Sequence, residues 1–226
     1  MSTFSIGQMN QLGDAFEAAG WNANLVTKLG QSGLLSLIRD FMEGRAEIVM
    51  KKVEEVVQSL LALVKVISTP AVAGKKTSDC FTDKSRYYYR DSNLDAWLPE
   101  DQPEQTESKF SVQKLTQNDT FKQVAESFLN LDQGDIATLA QLLKERGCVT
   151  TLPTIDLLIE RQEAGEDVGF RTDGWANFFF VENKDGSVSV VNADRYDGQW
   201  LAYVSRLDDD NVWDAGHRFF FRNQTL

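Results

Sequence analysis

The chain is poor in the residues that carry chemistry on their own. It has two cysteines, Cys80 and Cys148, and one histidine, His217. A single histidine excludes His-pair zinc sites and leaves one imidazole for any Ser–His or Cys–His chemistry. Two cysteines without paired spacing exclude a zinc ribbon and a disulfide framework, and they fit a reducing compartment. Long apolar runs are missing too. The strongest, Leu60 to Ile67, contains Lys65 and is far too short to span a bilayer. The first residues have neither a basic segment nor an apolar one, so no signal peptide is expected. Positive charge is also in short supply: Lys and Arg number 23 against 34 Asp and Glu, a net charge of −11. Such a field repels phosphate backbones and anionic membranes. The expectation is a cytoplasmic protein with no membrane contact, and nucleic-acid binding is disfavoured.

What is present is an abundance of aromatics near one end. Half of the Phe, Trp and Tyr residues fall between Phe170 and Phe221. Two Asp-Gly turns, at Asp185-Gly186 and Asp197-Gly198, are flanked by alternating apolar residues, as in β-hairpins. Strands are expected over 177–182, 187–193, 199–206 and 217–222, joined as a four-stranded antiparallel meander. Helices precede it. Thr120 with Gln123 forms a capping box, Asp135 caps a second helix that Gly147 stops, and Thr151 and Pro153 open a third.

The first third of the chain reads as helical. Ser5 and Gln8 form a capping box before Met9, Leu12, Phe16 and Ala19, which share a face. From 46 to 67 the residues Val49, Val53, Val56, Leu60, Leu63 and Ile67 repeat at spacings of four and three. That is the pattern of a coiled-coil seam or of a long helix packed on its own domain. A homodimer through the helix at 46–67 is therefore open. Pro70 ends this block. The fold class expected is α+β: a helical module over 1–68, a linker and irregular region with a short strand over 69–117, and an α+β module over 118–226.

Three short helices followed by a hairpin is also the order of a winged helix, with the helix-turn-helix over 142–160. Against DNA reading stands the acid of its third helix, where Asp156, Glu160 and Glu163 face a lone Arg161. Val72 to Thr77 fails as a phosphate loop, because the first glycine is missing and a second lysine intrudes. Asp167, Asp173, Glu182 and Lys184 are the residue types of a metal-dependent nuclease or hydrolase, in which carboxylates hold the metal and the lysine orients water. Glu-x-Lys is a common tripeptide, and here it runs into a hairpin tip. Asn192, Asp194 and Asp197 do not have the spacing of a calcium loop. No catalytic residue, metal site or cofactor is expected, and the balance of these residues leans away from an enzyme.

The surplus aromatics point instead to binding. Strand alternation leaves one sheet face with Tyr203 and Phe179 after the other has covered the helices. Flat aromatic faces stack sugars or receive a protein partner. The binding residues expected are Trp175, Phe179, Tyr203 and Trp213, with a protein partner ahead of a carbohydrate. The bland alternative is a sheet covered on both sides by the chain's own helices.

Two blocks, Met9 to Trp21 with Val26 to Gly30 and Gly44 to Ile48, and Thr172 to Glu182 with Trp213 to Phe219, resemble a family of hypothetical bacterial proteins. The likeness implies no substrate, cofactor or catalytic residue. It implies separate modules at the two ends of the chain.

Overall fold

The computed structural model describes residues 5–18, 20, 23, 26–27 and 60–223. It divides the chain into two compact units, Met1–Glu55 and Val56–Leu226, each taken here by itself. In the first, helix α1 spans Ile6–Ala18. Its start is the expected capping box: the Ser5 N–H donates to Gln8 Oε1 at 2.9 Å and the Gln8 N–H donates to Ser5 Oγ at 3.3 Å. Beyond α1, residues 23, 26 and 27 are helical, and the other residues of this unit's expected helices lie outside those described.

The second unit is α+β, but its sheet is not a four-stranded antiparallel meander. It is a seven-stranded mixed sheet, with a two-stranded ribbon beside it. In chain order the elements are β1 (Leu61–Thr69), β2 (Lys75–Lys76), a 3₁₀ turn (Thr77–Asp79), β3 (Tyr87–Arg90), α2 (Asn93–Trp97), β4 (Asp101–Gln102), β5 (Ser108–Leu115), α3 (Phe121–Leu129), α4 (Ile136–Glu145), α5 (Leu152–Glu163), β6 (Asn177–Glu182), β7 (Val188–Tyr196), β8 (Gln199–Arg206) and β9 (Arg218–Asn223). The large sheet runs β1-β5-β9-β6-β7-β8-β3. β6, β7 and β8 are joined by the expected hairpins, with Asp197 and Gly198 both at positive φ in the second turn. β9 does not extend the meander. It returns to lie between β5, antiparallel, and β6, parallel.

The reason is in its side chains. Phe219 and Phe221 point to one face and Phe220 to the other, and all three are fully buried. A strand apolar on both sides belongs in the middle of a sheet covered on both sides. β6 is equally buried along Asn177–Val181. One face, face A, packs Phe110, Phe179, Val191, Trp200 and Phe220 against Ile155, Leu158 and Ile159 of α5 and against Phe81, Leu94 and Leu98. The other, face B, packs Phe178, Phe180, Val190, Phe219 and Phe221 against α3 and α4. Both faces of β9 and β6 are thus covered, and by elements of the second unit.

This arrangement removes two further expectations. The periodic stretch at 46–67 is not one helix: Leu61–Thr69 is an edge strand paired with β5 over Leu61↔Leu115 to Thr69↔Ser108. A dimer seam through Leu60, Leu63 and Ile67 on a helix is excluded, while residues 46–59 lie outside the described residues. β-branched Val64, Val66 and Ile67 suit a strand better than a helix. Nor is there a helix-turn-helix at 142–160. α4 covers face B and α5 covers face A, so the two helices lie on opposite sides of the sheet. Between them Cys148–Thr150 threads through the sheet's end. The Thr150 N–H donates to Phe180 O at 2.8 Å, and the Arg222 N–H donates to Cys148 O at 3.4 Å.

Segment 69–117 is not a linker: it contributes β2 to β5, α2 and the 3₁₀ turn to this unit. Its glycine shows how closely it packs: a Cβ on Gly74 would lie 2.4 Å from Gln102 O. That approach accounts for the glycine of the Val72–Thr77 stretch in terms of packing.

Candidate functional site

Of the four residues expected to bind, Phe179 lies on face A, fully buried against Phe220 at 4.6 Å between ring centroids. The other three share face B. Pairing places Phe178 opposite Asn192, and Asn192 opposite Tyr203, in one row across β6, β7 and β8. At one end of the row the Tyr203 ring meets the Tyr89 ring of β3 at 4.8 Å between centroids, tilted by 34°. At the other, Phe178 meets the Trp213 ring at 4.7 Å and the His217 ring at 5.3 Å, and His217 meets Trp175 at 4.9 Å. Trp175, Trp213, His217 and Tyr203 are half-buried, and Tyr89 is exposed. Leu201 to Ser205 of β8 adds nothing to the face B core, so the Tyr203–Tyr89 end of the row lies outside that core, whereas at the other end Trp213 stacks on Phe121 of α3 at 5.1 Å. Tyr88 and Tyr196, 72% and 70% exposed, flank the same edge.

The middle of this band of rings is polar. Asn192 is buried, Asp194 half-buried, and the Oδ1 atom of each is enclosed without a hydrogen-bond partner. The Trp213 Nε1 donor is enclosed and unpartnered as well. Burial pushes the Asp194 carboxyl up to about 6, against a small lowering by the Asn192 amide. His217 is held by a different bond: its Nδ1 accepts from the Ala176 N–H at 2.9 Å, and burial lowers its pKa. With Nδ1 accepting, the neutral ring carries its proton on Nε2.

A cleft elsewhere in the unit has no local signal in the sequence. The stretch from Pro99 to Ser108 reads as a solvated loop, yet Gln102 and Gln105 are buried in it. Gln105 Oε1 accepts from the Thr150 hydroxyl at 2.8 Å, and its amide donates to Ser108 Oγ at 3.2 Å. Gln102 accepts from the Leu152 N–H at 3.2 Å and donates to Thr77 Oγ1 at 2.9 Å. These bonds hold the loop over the point where the chain crosses the sheet. Between them lies a cleft of about 260 Å³, lined by Pro99, Glu104, Val149, Thr150, Glu182 and Arg222 among others.

The acids proposed for metal chemistry do not converge. Asp167 pairs with Lys65 at 2.7 Å, Asp173 with Arg171 at 2.5 Å, and Glu182 with Lys144 at 3.2 Å, each with a cation of its own. Lys184 instead has its backbone N–H on Trp97 O. Among the described residues no group of three His, Cys, Asp or Glu side chains is placed to hold a metal ion. A tighter ionic cluster ties α5 to β2 and to the start of β3. Asp156 accepts from the Tyr87 hydroxyl at 2.5 Å and from Lys75 at 2.7 Å, while Glu160 accepts from Arg86 at 2.8 Å. Burial, then the Asp156 charge, raises the Tyr87 pKa far above its ordinary value. Burial likewise pushes the nearby Cys80 thiol up to about 12 and the Cys148 thiol up to about 11, so both stay protonated and poor as nucleophiles.

Comparison with protein-family models, with curated proteins and with solved structures finds no match to the chain. Among the described residues no helix is long and apolar enough to cross a membrane.

Proposed function

We propose that the chain is a non-enzymatic cytoplasmic binding protein that meets a protein partner through the face B band, with Trp175, Tyr203 and Trp213 as contact residues and Phe179 as core. The observation that carries this reading is the half-exposed, tilted Tyr203–Tyr89 ring pair beside Asn192 and Asp194, each of which has an enclosed oxygen without a partner. Rings with a polar tip supply large contact area and few rotors to freeze, which suits an interface anchor. The non-enzymatic part is supported by the two thiols held in their protonated form and by carboxylates tied one by one to separate cations. Free, buried cysteines fit a reducing compartment.

The test compares wild type with the double variant Tyr89→Ala, Tyr203→Ala as baits in extract of the native cell. Circular dichroism and a thermal melt first establish that the variant folds. A protein partner retained by wild type at least about tenfold more strongly is the expected result, given the energy that interface tyrosines carry. Equal retention of the same proteins by both baits sinks the proposal. Ring-dependent binding on a glycan array instead would make the partner a carbohydrate.

A further inference from the structure

The cleft where the chain crosses the sheet has its own chemistry, independent of the face B band. Arg222 is half-buried in its wall, and its Nε–H is enclosed without a hydrogen-bond partner. Among the described residues no carboxylate pairs with the guanidinium, although several polar groups around it have partners of their own. Glu182 is held by Lys144, the Thr150 hydroxyl by Gln105, and the Thr151 hydroxyl by Thr154. Burial lowers the Arg222 pKa with no opposing charge to restore it. A guanidinium taken partly out of water without an acceptor costs free energy, and the fork of its N–H groups matches a carboxylate.

We infer that this cleft is a binding site for a small monocarboxylate with a short apolar tail, its carboxylate on Arg222. The size of the cavity, about 260 Å³, limits the occupant to a fragment of that kind or to the last residue of a peptide. Val149, Pro99 and Pro103 give it an apolar wall. Glu104, which has no ion pair among the described residues, repels a dianion more strongly than a monocarboxylate, and Glu182 is already held by Lys144. A free acid and a peptide C-terminus share this chemistry.

The probes are butyrate, butyramide, inorganic phosphate, and an acetylated alanyl-leucine with either a free or an amidated C-terminus. They are titrated at constant ionic strength into the full chain while the arginine Nε–H resonances are followed by NMR. Saturable perturbation of the Arg222 signal by the carboxylates, at least about tenfold weaker for phosphate and for the two amides, is expected. Comparable response to butyrate and the free peptide indicates a free acid; response to the peptide alone indicates a C-terminus. The variants are Arg222→Lys, which keeps the charge but loses the fork, and Arg222→Met, which removes both. Both should weaken carboxylate binding about tenfold or more, and Arg222→Met should melt at or above the wild-type temperature. Phosphate acting as strongly as butyrate, a silent Arg222 resonance at saturating butyrate, or a marked loss of stability in Arg222→Met would each overturn the inference.

Discussion

Asp194 shows how one side chain can oppose folding at neutral pH. Its carboxyl has an ordinary value of 3.8 and burial takes it to about 6, with only the Asn192 amide, at 3.4 Å, working the other way. The folded value is the higher one, so ionisation is harder in the folded state. The penalty is absent below 3.8, grows as pH rises through the window between 3.8 and about 6, and is complete above it. Asp194→Asn should therefore raise the melting temperature at pH 7.5 and leave it nearly unchanged at pH 4. The gain at pH 7.5 is on the order of 1–3 kcal/mol. Loss of stability at pH 7.5 would mean that the carboxylate has a favourable partner after all. Asn177 is the contrasting case of a buried polar side chain that is fully used. It accepts from the Arg171 N–H at 2.7 Å and donates to Arg171 O and Ala193 O, both at 2.9 Å. Asn177→Ala leaves three backbone groups wanting, and a loss of about 2–4 kcal/mol in urea denaturation is expected. A loss under about 0.5 kcal/mol would show that water replaces the amide.

Among the elements, α5 is fixed to the sheet in two ways. Its apolar stripe, Leu152, Ile155, Leu158 and Ile159, is fully buried on face A. Its polar edge is bound through Asp156 to Tyr87 and Lys75, and through Glu163 to Trp200 and Arg195. Asp156 is buried while Lys75 is partly exposed, so the pair's worth lies mainly in satisfying the Tyr87 hydroxyl. Asp156→Ala is expected to cost about 3 kcal/mol, because it strands a buried hydroxyl and a partly buried cation. Asp156→Asn, which still accepts from Tyr87, should cost about half as much. Equal losses in the two variants, measured by denaturant titration, would place the effect in packing and not in the acceptor. The acids on this helix read in sequence as a surface hostile to DNA; in the structure Asp156, Glu160 and Glu163 each answer a specific donor.

The same elements show what could be read in advance. Caps and turns are local, so they were legible: Thr120 accepts from the Gln123 N–H, Asp135 from the Thr138 N–H, and Gly186 and Gly198 take positive φ. Strands β6 to β8 follow from alternation and turn chemistry for the same reason. β1 was not legible as a strand, because Leu60, Leu63 and Ile67 repeat at the helical spacings of three and four and break strand alternation, and its partner β5 lies about 45 residues away. The place of β9 depends on pairing with β5, more than a hundred residues earlier. Phe179 was assigned to the wrong company for a related reason: alternation separates it from Phe178 and Phe180, but only register shows which of these shares a face with Tyr203. The Arg222 cleft combines four distant segments, and no local pattern announces such a convergence.

For the molecule as a whole, the layered sheet decides where function can reside. With both faces of β9 and β6 covered, the sheet centre is core, and chemistry is left to the rims: the band over β8 and β3, and the cleft where the chain crosses from α4 to α5. Every described member of the two hydrophobic cores falls between Leu60 and Phe221. A unit of this length has enough interior to fold without a disulfide or a metal. A chain limited to Val56–Leu226 is therefore expected to unfold in one cooperative transition. It should keep the near-ultraviolet circular dichroism of Trp200, which is fully buried with its indole N–H on Glu163 at 2.9 Å. Its strands pair across long sequence separations, so refolding should take milliseconds to seconds and not microseconds. If the shortened chain instead binds hydrophobic dye and shows a broad, non-cooperative melt without near-ultraviolet signal, the cores are insufficient by themselves. Residues before Val56 would then have to be counted as part of the folding unit.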